Sequence, residues 1–190
     1  MNRTDRRKQE MSGRILDAAF DLFLAQGVAA TTIEQICERA DVANRTFFNH
    51  FASRQAMVQA LADRRFANLH DVMFSRDDQP IPERLVGVFD EIAASLTRSS
   101  GTYREIVGEM MSAAGYGGHR GSGLHQAFLD LVEDGVARGE VGTTHAPATL
   151  ADIMASTLAG GIANWAADSK YSLKRNLHSA ALALADLLSP

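Results

Sequence analysis

The chain has 190 residues, enough for one large or two small domains. It is 46% apolar and 22% charged, with four prolines and one cysteine, which excludes collagen-like and disulfide-built chains. A net charge of −4 argues against a protein that coats nucleic acid wholesale. The charges are unevenly spread, with ten Lys and Arg against eight Asp and Glu up to Arg65, and nine against fifteen beyond it. No apolar run approaches the roughly 20 residues that cross a bilayer. The opening MNRTDRRKQE has no apolar segment behind its charges, so no secretory signal and no membrane association are expected, and a cytoplasmic protein is the default.

In chain order, Arg3, Arg6, Arg7 and Lys8 form a basic arm over residues 1–8 that is expected to fray and to attract phosphate without regard to sequence. A helix over 9–26 follows, with Ile15, Leu16, Ala19, Leu22 and Phe23 on one face and Gly27 placed as a left-handed C-cap. Thr31 and Glu34 have the spacing of a capping box that opens a second helix. Ile33, Ile36, Cys37 and Ala40 make its apolar stripe, where Cys37 reads as a small core hydrophobe. Asp41 suits a left-handed turn residue and Val42 plugs the turn. A third helix over 43–50 faces Phe47 inward together with Phe51, leaving Asn44, Arg45, Asn49 and His50 elsewhere on the surface. Two helices on a tight turn, the second carrying polar side chains outward, form the helix-turn-helix pattern of DNA readers.

Ser53 is a good N-cap for a long fourth helix to about residue 74. The polar stretch 75–82, with two prolines, reads as a linker. Helices over 82–98 and 103–114 lead to a glycine-rich loop at 115–123. That loop lacks a Gly-Lys-Ser/Thr element and a preceding strand, so it is not read as a phosphate loop. Helices over 124–138, 147–168 (opened by Pro147) and 173–188 complete an all-α chain of about nine helices without strand alternation or internal repeats. The expected organisation is a three-helix DNA-binding domain over 1–52 and a helical domain over 53–190. The last two helices are rich in small and apolar side chains, with Ala155, Ala159 and Ala163 in one and Leu177, Ala181 and Leu184 in the other. They suggest a homodimer by four-helix packing, weighed against ordinary core within one chain.

The residues Gly27, Thr31-Thr32-Ile33, Ile36, Ala40, Val42, Thr46-Phe47-Phe48, His50-Phe51 and Ser53-Arg54 resemble the DNA-binding domain of the TetR family of transcriptional regulators. The match is dense over 15–57; beyond it only length and helical texture agree. Three residues depart from the family pattern: Phe48 stands where Tyr is usual, Arg54 where Lys is common, and Ala43 where Ser is frequent.

In a helix-turn-helix, early residues of the second helix reach base edges. Arg45 is therefore the expected direct reader, pairing with guanine. Asn44 is placed either to read adenine or to cap the helix, and Asn49 lies one turn further on. The resemblance implies phosphate contacts at Thr32, Thr46, His50 and Arg54. A dimer would read palindromic double-stranded DNA. The resemblance further implies dimerisation through the last two helices and a small-molecule effector held after the fourth helix. Candidate lining on the earlier helices is Phe74, Phe89, Tyr103, Met110 and Met111. On the later ones it is Phe128, Met154 and Trp165, a mostly apolar set that suits a mostly apolar effector. The implied mechanism is a repressor released by linkage, effector and DNA weakening each other's binding equally. No cofactor or metal is expected, because no His-x-x-x-His or paired Cys spacing exists, and nothing positive supports an enzyme. The alternative is a helical ligand-binding or protein-interaction module whose basic N-terminal unit reads no sequence.

Overall fold

The computed structural model of the chain describes residues 3–66, 79–98, 101–113 and 123–189. Nine helices lie among them: α1 (Arg3–Gln26), α2 (Ile33–Ala40), α3 (Asn44–His50), α4 (Arg54–Phe66), α5 (Ile81–Thr97), α6 (Gly101–Ala113), α7 (Gly123–Ala137), α8 (Pro147–Ala167) and α9 (Leu173–Leu188). No described residue is in a strand. The expected fourth-helix extension to residue 74, the first half of the proline-containing linker (75–78) and nearly all of the glycine-rich loop lie outside the described residues.

Two apolar cores organise the fold. The first, the head, gathers Ile15, Ala19 and Phe23 of α1, Ile36 and Cys37 of α2, Phe47 and Phe51 at α3, and Met57, Val58 and Leu61 of α4. The second, the body, is filled from α5, α7, α8 and α9. Helix α6 serves both. Ile106 and Met110 complete the head core, while Val107 and Met111, one position on, enter the body core. The turn from α1 to α4 is built as the sequence suggested. Gly27 adopts φ 86° at the end of α1, and Asp41 adopts φ 53° after α2. Both are left-handed conformations that close a helix by exposing its last carbonyls to the following N–H groups.

Three expectations need correction. The basic arm is helical from Arg3 onward, supported by Asp5 in the first turn and an Arg6–Glu10 ion pair of 3.5 Å one turn apart. The capping box is shifted by one residue. Thr32, not Thr31, accepts from the Gln35 N–H, and the Gln35 side chain accepts from the Thr32 N–H at 2.9 Å. Thr31 is instead buried and donates its hydroxyl to the Gly27 carbonyl at 2.8 Å. The small-residue stripes of α8 and α9 are not an open surface. Ala155, Ala159, Leu177, Ala181 and Leu184 are buried in the chain's own packing, and Ala163 is half-buried against it. The reason is that α9 lies along α5 as well as against α8, which takes up its apolar stripe. The α8–α9 approach is close: a Cβ at Gly161 would stand 2.5 Å from Leu177 Cδ2.

The body also encloses charge. Arg84 is fully buried, with Nη1 3.3 Å from Asp134 Oδ2. Asp134 also meets Arg138, which pairs with Glu140 at 2.7 Å, and Glu140 accepts the Ile81 N–H at 2.7 Å. The segment after α7 is thereby clasped to the first turn of α5, which has no side-chain cap of its own.

Candidate nucleic-acid interface

Helix α3 has only seven residues, too few to persist alone, so its position is set by packing. Phe47 is fully buried and Phe51 nearly so, their ring centroids 5.7 Å apart. With those two rings anchored in the head, Asn44, Arg45, Phe48 and Asn49 are all exposed on the opposite side. Positions 45, 48 and 49 are neighbours at i, i+3 and i+4, and 44 and 48 at i, i+4, so the four form one face. The helix begins at Ala43 without a side-chain cap, so the Asn44 alternative as N-cap does not occur. Thr46 and His50 are half-buried at the edge of this face.

Several cations of the head are already engaged between α1 and its neighbours α2 and α4. Arg39 pairs with Asp21 at 2.9 Å and Arg64 with Asp17 at 2.9 Å. Arg14 donates to the Ala40 carbonyl at the end of α2 and lies 3.9 Å from Asp41. Among the described residues, Arg45 has no such partner, nor have the exposed Arg7 and Lys8 of α1.

Two expected phosphate contacts have other roles in this structure. Arg54 donates from Nη1 to the Thr31 carbonyl at 2.6 Å and from Nη2 to the Val28 carbonyl at 2.7 Å. Its guanidinium also lies 5.2 Å from the centroid of the Phe23 ring. It pins the start of α4 to the α1–α2 link, a two-pronged task that suits guanidinium geometry. Thr32 is engaged as the N-cap of α2. The Glu34 carboxyl is held below its ordinary value of 4.5 by its own backbone N–H and by the Thr32 hydroxyl, so a negative charge already stands at this helix end. Cys37 is packed in the head, and burial, then the nearby Glu34 charge, pushes its thiol up, away from reactivity.

The suggested effector-lining residues divide. Phe89 and Phe128 pack with centroids 6.1 Å apart, and Met111, Met154 and Trp165 share their core. Arg104 lies 4.6 Å over the Trp165 ring. Tyr103 is half-buried and meets Phe20 of α1 edge-on. Met110 turns to the head instead, because it lies on the other face of α6 from Met111. Phe74 lies outside the described residues. A small cavity of about 140 Å³ between α6 and α8 touches Met111 and Ala163.

The sequence reading gave Phe48 no site role, although it stands at the centre of the exposed face. Its position at i+3 from Arg45 and i+4 from Asn44 was the available signal. In the body, the buried His125 places Nε2 3.0 Å from Oδ1 of the half-buried Asp152, between α7 and α8.

A short, packing-held second helix with an exposed polar face after a left-handed turn defines a helix-turn-helix protein. Residues 15–61 match the family model described as bacterial regulatory proteins, tetR family. The regulator TcmR of Streptomyces glaucescens is 30% identical over 132 residues, 67% of this chain and 50% of the relative. The repressor Rv3405c of Mycobacterium tuberculosis is 37% identical over 86 residues, 43% of this chain and 46% of the relative. The chain thus spans about half the length, at most, of these curated relatives. Thermus thermophilus FadR, a repressor solved in complex with lauroyl-CoA, superposes with a TM-score of 0.75 at 19% identity, covering 92% of both chains. Residues 15–61 thus form a DNA-binding unit of the tetR family of bacterial regulatory proteins, and the chain shares the fold of a solved tetR-family repressor.

Proposed function

We propose that the chain is a sequence-specific DNA-binding repressor that acts as a homodimer on palindromic DNA in the cytoplasm and is released by a small, mostly apolar effector. The observation that carries the reading is the exposed α3 face, where Arg45 stands beside Asn44 and Asn49 with no ion partner among the described residues, while Phe47 and Phe51 are held in the head core. Arg45, Asn44 and Asn49 would contact bases. Thr46 and His50, at the edge of the face, would contact phosphates. Thr32 has a hydroxyl beside the Glu34 carboxylate and Arg54 is held by backbone carbonyls, so both would act chiefly by shaping the head.

Residues 1–52 supply the DNA reader and 53–190 the effector and dimer functions in this reading. The apolar packing of α4 into the head core ties the two together. For the second copy, the available surface is the outer side of α8 and α9, where Ile153, Leu182 and Leu187 are 40%, 49% and 41% exposed. For the effector, Phe89, Met111, Phe128, Met154 and Trp165 supply an apolar wall, with Tyr103 at its rim. The acyl ligand of the Thermus neighbour is of matching character.

The test is an anisotropy titration of the full chain and its Arg45→Ala variant against DNA selected from a random-sequence pool, at two salt concentrations. Arg45→Ala should lose about 1–3 kcal/mol of specific binding while the helical circular dichroism and the molecular mass in solution stay as in the wild type. Selection of no sequence, with equal binding to all duplexes, would support the interaction-module alternative.

A further inference from the structure

The largest apolar side chain exposed by the head is Phe48, at 53%. Single exposed apolar residues are common and need no function. Phe48 differs in its setting. It occupies the middle of the α3 face, flanked within one turn by Asn44, Arg45 and Asn49, all exposed. Its ring stands edge-on to the buried Phe47 at a centroid distance of 5.3 Å and an interplanar angle of 81°. Because Phe47 is immobilised in the core, that contact limits the directions open to the Phe48 ring. An apolar ring in contact with the core on one side thus projects among hydrogen-bonding side chains from a helix proposed to enter the major groove. The ring has no hydroxyl, so it can neither donate to a phosphate nor bond to a base edge.

The major groove offers one apolar group that distinguishes bases, the 5-methyl of thymine. We infer that Phe48 is a specificity-determining residue that packs on a thymine methyl within each half-site, next to the base contacted by Arg45. The inference rests on the DNA-reading function proposed above and adds to it the identity of one read group. Arg45 and the asparagines select by hydrogen bonds, and Phe48 selects by excluding water from a methyl. Cytosine at that position presents no methyl and leaves the ring in contact with water.

The experiment replaces thymidine by deoxyuridine, one position at a time in both half-sites, in a duplex selected by the wild-type protein. The substitution removes only the methyl group and keeps every hydrogen bond. One position should weaken wild-type binding by about fourfold for each methyl removed, and Phe48→Ala should bind the thymidine and deoxyuridine duplexes equally. The wild-type scan needs no variant, so a folding defect in Phe48→Ala leaves the inference testable. Uniform wild-type affinity across the scan would overturn it. So would a Phe48→Ala variant that binds more weakly but keeps the wild-type ratio at the sensitive position, since the ring would then pack on sugar and phosphate. If selection enriches no sequence at all, DNA reading itself fails and this inference falls with it.

Discussion

The head and the body bury apolar surface in different ways. The head packs two short helices, α2 and α3 of eight and seven residues, against the 24-residue α1 around the rings of Phe23, Phe47 and Phe51. Its ion pairs, such as Arg39–Asp21, lie at the surface. The body uses no helix as short as α2 or α3; its helices, up to the 21 residues of α8, pack around many aliphatic side chains and enclose the guanidinium of Arg84. Helices as short as α2 and α3 gain little from their own hydrogen bonds, so the head depends on a few side chains and caps. The body distributes the same task over many contacts. A surface that must be presented in one geometry is thus held by a small number of decisive residues.

The largest expected effect breaks the head alone. Phe47→Ala removes a fully buried ring and should destabilise the head by about 3–5 kcal/mol. Trp165, the single tryptophan, reports on the body. On heating Phe47→Ala, helical signal and DNA binding should fall before the Trp165 emission shifts. Coincident transitions would mean that the two cores do not melt separately.

A smaller effect sharpens the account of Arg54. Arg54→Lys leaves a single ammonium where two carbonyls are now bridged, and should cost about 1–3 kcal/mol of head stability. For the charge-removing variant Arg54→Gln, the slope of log affinity against log salt should stay unchanged well below the melting temperature. A slope reduced by about one would assign Arg54 a phosphate after all.

The smallest effect separates the two regions by acid. The Ile81 N–H first, and then Arg138, hold the Glu140 carboxyl below its ordinary value of 4.5, against the effect of burial. A group depressed in the folded state stabilises fully above its unfolded pKa and loses that contribution as pH falls through the folded pKa. The stability difference between wild type and Glu140→Gln should therefore be present at neutral pH and disappear on acidification below the ordinary carboxylate range. Urea melts followed by Trp165 emission at several pH values measure it. Glu34 follows the same sign in the head.

The head was legible because its signals are local. Gly27, Asp41, the Ile36–Cys37–Ala40 stripe and the two inward rings each determine a turn or a face within a few residues. The one-residue error at Thr31 and Thr32 arose because both are Thr and both have a possible partner three residues on, Glu34 and Gln35. The partners of Arg54, Val28 and Thr31, were not legible because they are backbone carbonyls, which leave no mark on the side-chain pattern. In the body, helix bounds were readable to within a residue or two, but partners were not. Nothing in the spacing of Leu177, Ala181 and Leu184 says whether α5 or a second copy covers them. Arg84 did leave a signal, a charge on the buried stripe of Ile81, Leu85 and Val88, which predicts a partner without naming Asp134.

The sharing of α6 bears on the order in which the protein is made. Synthesis proceeds from the N-terminus, and domains generally fold as they emerge. The first four helices leave the ribosome well before Ile106 and Met110, the side chains that finish their core. A chain interrupted before residue 101 therefore keeps that part of the head's apolar surface in water. Helix α3 reaches its full support only when the polypeptide is long enough to have begun the body, so under the function proposed above an unfinished copy would compete poorly with finished ones for DNA.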